Sequence, residues 1–140
     1  MILADTGFWL ALANRRDHFH QRAATALAEL SEPLVTTWPV LTETCHLLLH
    51  RLGSQAQQQF LEGADAGAFQ LHSNSPQELH RMRQLMQKYQ DLPMDLADAS
   101  LVLLAEHLGH GRILSTDQRD FETYRWKQHH PFEICSEVKR

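Results

Sequence analysis

The chain opens with MILADTG, residues 1–7, and this segment is the clearest indication of the fold class. Its first four residues form an unbroken apolar run, as expected for a short strand that is buried on both faces. Asp5 ends the run, and Thr6 with Gly7 predicts a turn before the next helix. Because short buried strands that lead into helices are typical of parallel sheets, the opening predicts an α/β fold.

The rest of the chain alternates between strand and helix patterns. Further strands are predicted at residues 34–37, 69–72, 112–115 and 132–135, and helices at residues 8–14, 18–30, 40–52, 55–64, 76–89, 96–108 and 120–124. Asp17, Ser54, Ser75 and Asp95 are the residues expected to cap four of these helices. The pattern predicts one domain, residues 1–140, with a central, mostly parallel sheet of four or five short strands between helices.

Four distant acids stand where one edge of this sheet would collect them. Asp5 and Asp117 each follow a predicted strand, whereas Glu43 and Asp98 lie in the first turns of predicted helices. The carboxyl ends of parallel strands and the adjoining helix starts line one crevice. Two carboxylates about 4 Å apart repel by roughly 4 kcal/mol at an effective dielectric constant near 20. Four of them together therefore indicate a divalent cation.

Each acid also has an ordinary structural explanation, which the sequence leaves open. Asp5 could form a turn, and Asp117 could cap a helix. Glu43 could be present because the helix dipole favours an acidic residue near a helix N-terminus. Asp95 and Asp98 have the spacing of a capping pair. Of these two, Asp95 is favoured as the cap and Asp98 as a metal ligand or water-positioning acid, because small Ala99 leaves room beside it.

The composition of the predicted site favours a hard cation. Ligation by oxygen alone suits Mg²⁺ or Mn²⁺ better than zinc. Such ions polarise a phosphate, so hydrolysis of phosphodiester bonds is the expected chemistry. Asp120, three residues after Asp117, is a weaker candidate. His46 and His50 are spaced four apart as zinc ligands can be, but no third ligand is evident in the sequence.

The overall composition argues against several classes of protein. The 140 residues are 43% hydrophobic and 21% charged, which is ordinary for a globular domain. No apolar run reaches the roughly 18 to 20 residues of a membrane span, and no signal peptide is evident, so a cytoplasmic location is expected. The net charge of −4 argues against nucleic-acid binding driven by charge alone, although acids that hold metal contribute to this number.

Several short motifs, in this order, resemble those of the PIN domain family. They are ILADTG at residues 2–7, Thr42 with Glu43, LPMDLADA at residues 92–99 and LSTDQRDF at residues 114–121. The size of the chain and the order of the acids are similar to those of the small VapC-type toxins in this family. The resemblance covers nearly the whole chain.

This resemblance implies a PIN-like three-layer fold and a metal-dependent endoribonuclease that acts on single-stranded RNA. It places the family's catalytic, metal-binding acids at Asp5, Glu43, Asp98 and Asp117, and the family's hydroxyl group beside the site at Thr116. Thr6, Asp95 and Asp120 are further candidates for supporting residues. It also implies a homodimer and a small antitoxin protein as partner.

The sequence is also compatible with two other functions, and it leaves open whether three aromatic residues bind RNA bases. The chain could be a non-cleaving PIN-like module that binds RNA or protein, or a phosphatase with Asp5 as nucleophile. The phosphatase is the weaker rival, because the second acid expected two residues later is Gly7. Phe8, Trp9 and Trp38 could stack on unpaired bases, but packing in the core is favoured for all three.

Overall fold

Five short strands form one parallel sheet in the computed structural model, which describes residues 1–135 apart from the side chain of Gln118. The strands of the chain are β1 (Ile2–Ala4), β2 (Leu34–Thr37), β3 (Gln70–His72), β4 (Arg112–Leu114), β5 (Arg125–Trp126), β6 (His130–Pro131) and β7 (Glu133–Ile134). The sheet order is β3-β2-β1-β4-β7, with every pair parallel, whereas β5 and β6 form a separate antiparallel hairpin. The predicted α/β class and parallel sheet are confirmed.

Helices connect and flank these strands. They are α1 (Thr6–Ala13), α2 (His20–Glu29), α3 (Trp38–Leu52), α4 (Ser54–Asp65), α5 (Leu79–Lys88), α6 (Leu96–Leu108) and α7 (Gln118–Thr123), with a 3₁₀ turn at Pro76–Glu78 before α5. The central strand β1 is buried throughout, and α6 buries eight residues. The long apolar run in α6 therefore reflects its packing against β2, α3 and α5.

Three predictions about helix starts are wrong. Residues Thr6 and Gly7 belong to α1 rather than to a turn, because Asp5 caps the helix by accepting a hydrogen bond from the Phe8 amide. Asp17 closes a local turn by accepting from the Phe19 amide, and α2 begins only at His20. Ser54 is the first residue of α4 instead of its cap. In each case the predicted start lies within two residues of the observed one, a difference that spacing alone does not resolve.

The β5–β6 hairpin has no counterpart among the predicted elements. Its two-residue strands are too short to produce an alternating pattern, and its turn uses positive φ angles at Lys127 and Gln128. The Trp126 ring stacks on His130 across the pair, with centroids 4.5 Å apart. Within residues 1–135, no helix has both the length and the apolar character needed to cross a membrane.

Candidate active site

Asp5 lies at the end of the central strand and is held from several sides. Its amide donates to the Leu114 carbonyl of β4 (3.2 Å), which fixes the end of β1 against the end of its neighbour. One carboxylate oxygen accepts from the Phe8 amide (2.9 Å), and the other accepts a short hydrogen bond from the Ser115 hydroxyl. The role of Asp5 as the N-cap of α1 and its position in the site are therefore compatible.

Asp117 follows β4 and is connected to Asp5 through one hydroxyl group. The Asp117 amide donates to Ser115 Oγ (2.9 Å), and the same hydroxyl donates to Asp5. Ser115 is fully buried, whereas Asp117 is exposed to solvent. The Asp117 carboxylate also accepts from the Asp120 amide (3.4 Å) and so caps α7. The backbone after β4 thus directs Asp117 and Asp120 towards Asp5.

Glu43 reaches the site from α3, whose start is fixed by Thr37. The Thr37 hydroxyl accepts from the Val40 amide, so α3 begins directly after β2. Two turns into the helix, Glu43 Oε1 accepts a hydrogen bond from Thr6 Oγ1 (2.6 Å). Thr6 is the first residue of α1, next to Asp5, so this bond joins the two helices at the same sheet edge.

Asp98 is the N-terminal acid of α6, and its carboxylate has a partner that the sequence analysis missed. The Asp95 carboxylate accepts from the Asp98 amide (2.8 Å) and caps the helix, as predicted. The buried Tyr124 hydroxyl donates to Asp98 Oδ2 (2.8 Å). Tyr124 follows α7, so the segment after Asp117 also orients Asp98.

Burial and nearby carboxylates raise the pKa values of Asp5, Asp98 and Glu43. Burial is the main cause for Asp5, whose pKa rises to about 7 against the opposing effect of its hydrogen bonds, with further increases from Asp117 and Glu43. Burial raises the pKa of Asp98 to about 8, and Asp95, Asp5 and Asp120 add to the effect. The pKa of Glu43 is also raised, by burial and by Asp95. These mutual effects require the carboxyl groups to lie close together.

The acids gather without a compensating basic group. Within residues 1–135, none of the ion pairs involves Asp5, Glu43, Asp98 or Asp117. Arg119 lowers the pKa of the neighbouring Asp120 but does not offset its rise to about 6, of which burial is the largest cause. A cluster of oxygen ligands with raised pKa values fits a Mg²⁺ or Mn²⁺ ion, because the ion would offset the repulsion.

The last supporting residue, Thr116, lies against the start of α1. A Cβ atom added to Gly7 would clash with Thr116 Oγ1 and would lie 3.7 Å from Asp5 Oδ1. Gly7 thus allows the loop after β4 to approach α1 closely. The Thr116 hydroxyl consequently lies near Asp5, where the resemblance had suggested it.

The structure brings together every acid and threonine named from the sequence, while their catalytic roles stay predictions. Sequence reasoning missed Ser115 and Tyr124, which hold Asp5 and Asp98. Ser115 had a usable signal, because it is polar at the end of an apolar strand beside two named residues. Tyr124 had none, since only the path of the chain after α7 brings it to Asp98.

The three aromatic residues considered for base stacking differ in how far their side chains are exposed to solvent. Phe8 and Trp9 are buried in the core, so the packing prediction is confirmed for both. Trp38 is 50% exposed, so the same prediction is wrong for this residue. Trp38 lies on a groove of about 680 Å³ that it shares with Glu43, Asp95 and Leu96. An exposed ring beside the acids is available for stacking.

Comparisons with known proteins match this chain to a described family. The family model described as "PIN domain" matches residues 2–127. Ribonuclease VapC26 of Mycobacterium tuberculosis (strain ATCC 25618 / H37Rv) is 27% identical over 124 residues, covering 89% of this chain and 92% of that protein.

A solved structure gives the same fold. The crystal structure of Mycobacterium tuberculosis VapC20, described as a toxin that cleaves the sarcin-ricin loop, superposes with a TM-score of 0.75 at 21% identity. The match covers 81% of this chain and 87% of that one. The resemblance inferred from the sequence motifs is thus confirmed along most of the chain, and the protein belongs to the PIN domain family.

Proposed function

We propose that the protein is a Mg²⁺- or Mn²⁺-dependent endoribonuclease that hydrolyses phosphodiester bonds in single-stranded RNA. The observation that carries the proposal is the convergence of Asp5, Glu43, Asp98 and Asp117 in one site without a basic partner among the described residues. The ribonuclease name of the relative supports the same activity. A non-cleaving module would have no need for four mutually repelling acids.

In this mechanism the four acids would hold one or two divalent ions beside the RNA phosphate. A bound divalent ion supplies electrostatic stabilisation of the charge that develops on the phosphate. Ser115 fixes the Asp5 carboxylate, and Tyr124 fixes that of Asp98, so neither acid has to reorganise during the reaction. Thr6 does the same for Glu43. Asp98 or Glu43 orients the attacking water.

Asp5→Asn tests the activity directly. Asn is as good a helix cap as Asp, so the variant keeps the bond to the Phe8 amide and should remain folded. We expect Mn²⁺-dependent cleavage of mixed RNA by the unaltered protein, none with excess chelator, and a loss of at least about 100-fold in the variant because an ion ligand is lost. Circular dichroism serves as the folding control. Cleavage that persists with chelator, or in the folded variant, would exclude the metal site.

Trp38 supplies the preference for single strands in this proposal. Stacking of one base on an aromatic ring contributes about 1–3 kcal/mol, so Trp38→Ala should raise KM for an unpaired oligonucleotide about tenfold or more. Trp38→Phe keeps a ring and should recover most of the affinity. Because the side chain is half exposed, the thermal midpoints of both variants should stay close to that of the parent. Equal KM values for all three proteins would exclude a stacking role.

The toxin role and the antitoxin partner belong to this proposal as well. They rest on the toxin description of the structural neighbour and on the resemblance to VapC-type proteins. Expression in a bacterial host should arrest growth, Asp5→Asn should not, and a short neighbouring reading frame should restore growth. If growth continues although the purified protein cuts RNA, the toxin role fails and the nuclease stands. Cytoplasmic location, a homodimer and a single domain remain proposals, of which ultracentrifugation tests the second.

A further inference from the structure

We propose a second metal site, for Zn²⁺ or a similar transition metal, formed by His72, Glu78 and His107. One ring nitrogen of each histidine and one oxygen of Glu78 lie within 4.8 Å of one another. The three residues come from the end of β3, the 3₁₀ turn and the end of α6. Two histidines and one carboxylate form a ligand set that zinc uses when its fourth position is left to water.

The orientation of the side chains supports ligation. Glu78 Oε1 accepts from the Ser75 amide (2.8 Å), which completes the capping box and holds the carboxylate in place. Its other oxygen lies 2.8 Å from His107 Nε2. The His72 and His107 rings lie with their centroids 5.0 Å apart and their planes tilted by 50°. A metal ion could thus replace the proton that His107 and Glu78 share.

An unsatisfied buried atom gives a second, independent reason. His72 Nε2 is buried and has no hydrogen-bond partner among the described residues. Buried polar atoms of this kind are rare, and an unobserved ion or water is a common cause. A cavity of about 300 Å³, lined by Glu78, His107 and Leu103, opens beside the cluster and has room for a water ligand. Arg81 also lines it but is paired with Glu106 (3.0 Å).

This site is separate from the acidic site. Asp98 and His107 are both on α6, nine residues apart, which corresponds to about 14 Å along the helix axis. The donor chemistry also differs, since imidazole nitrogen favours zinc and oxygen alone favours Mg²⁺. A metal here would tie the edge strand β3 to α6 and to the start of α5. The proposal does not depend on ribonuclease activity.

The test is zinc binding by the full chain without an affinity tag, in excess Mg²⁺ to occupy the acidic site. We expect one equivalent of Zn²⁺ to be withdrawn from a chromophoric chelator. Glu78→Gln and His107→Gln should each weaken binding about tenfold or more. Gln preserves the capping box, so the first variant should stay folded. His46→Gln with His50→Gln is the matched control, because these rings also lie together, 4.2 Å between centroids, on α3.

Cobalt gives a second readout that does not depend on affinity. Co²⁺ bound to the proposed nitrogen and oxygen ligands should produce visible absorption bands, which His107→Gln should remove and the α3 control should retain. Loss of zinc in the control alone would assign the metal to His46 and His50 and overturn the proposal. Unchanged binding in Glu78→Gln and His107→Gln, or no binding at all by the parent, would overturn it as well.

Discussion

At the scale of single residues, the site depends on hydroxyl groups that hold the acids. The Tyr124 hydroxyl is the clearest case, since its hydrogen bond to Asp98 opposes the increase that burial imposes on the pKa of that acid. In turn, burial and the adjacent carboxylates raise the pKa of Tyr124, so this hydroxyl stays protonated and remains a donor. Tyr124 therefore orients the Asp98 carboxylate.

Tyr124→Phe should impair metal binding at the acidic site more than it lowers the stability of the protein. Without the donor, the pKa of Asp98 rises further, and we expect the Mn²⁺ concentration for half-maximal cleavage to increase about tenfold. Tyr89→Phe is the matched control, because Tyr89 packs against Tyr124 but its hydroxyl accepts from the Arg125 amide instead. A metal titration of cleavage measures both. Equal shifts in the two variants would mean that the effect is structural.

At the scale of elements, one residue at the start of α6 has two separable roles. Asp95 caps the helix through the Asp98 amide, and its charge raises the pKa values of Asp98 and Glu43. The first role needs an acceptor oxygen, and the second needs a negative charge. Substitutions that remove one or both distinguish these contributions.

Asp95→Asn should keep the cap and remove the charge, whereas Asp95→Ala removes both. We expect Asp95→Ala to lower the free energy of unfolding by about 1 kcal/mol, the ordinary value for a lost cap. Asp95→Asn should change it by less than about 0.5 kcal/mol, because relief of repulsion offsets the lost interaction with the helix dipole. Urea unfolding in chelator measures both. Equal losses in the two variants would contradict the division of roles.

At the scale of the whole molecule, opposite ends of the sheet respond to pH in opposite directions. Far from the acids, Glu32 binds Arg112 (2.9 Å between Oε1 and Nη2) and the N-terminal amine (3.2 Å). These hydrogen bonds lower the pKa of Glu32 to about 2. Its contribution to stability is present above the ordinary value of 4.5 and disappears as pH falls towards 2.

Asp5 and Asp98 change stability with pH in the opposite direction to Glu32. Since their folded pKa values lie above the ordinary 3.8, the folded state binds more protons than the unfolded state, and stability is lost as pH rises through about 7 and about 8. For Asp5 this loss is about 4 kcal/mol as an upper bound. The metal-free protein should therefore be most stable near pH 4, because the loss from Asp5 and Asp98 begins once pH exceeds 3.8 and is complete only above their folded pKa values.

Urea unfolding across pH, in chelator, tests this profile. Asp5→Asn with Asp98→Asn should flatten the alkaline side, because neither amide titrates, and Glu32→Gln should flatten the acid side only. Saturating Mg²⁺ should restore stability at pH 8 in the parent by binding the folded state. A parent protein whose metal-free stability still increases from pH 5 to 8 would contradict the raised pKa values.

Local sequence patterns predict many of the strands and helices of this protein. The strands 1–4 and 34–37, the helix 96–108 with its Asp95 cap, and the order of the acids were all readable, because each depends on neighbouring residues. The family resemblance rested on the same short motifs. The helix starts near Thr6 and Asp17 could not be placed to the exact residue, because local patterns define the ends of a helix only to within one or two residues.

Contacts between side chains that are distant in the sequence follow from the tertiary fold and from no local pattern. Ser115 meets Asp5 across 110 positions, and Tyr124 meets Asp98 across 26. His72 meets His107 because β3 lies at the sheet edge where α6 ends, and no spacing in the sequence encodes that crossing. Periodicity follows from the geometry of one element, whereas contacts between elements depend on how the whole chain packs.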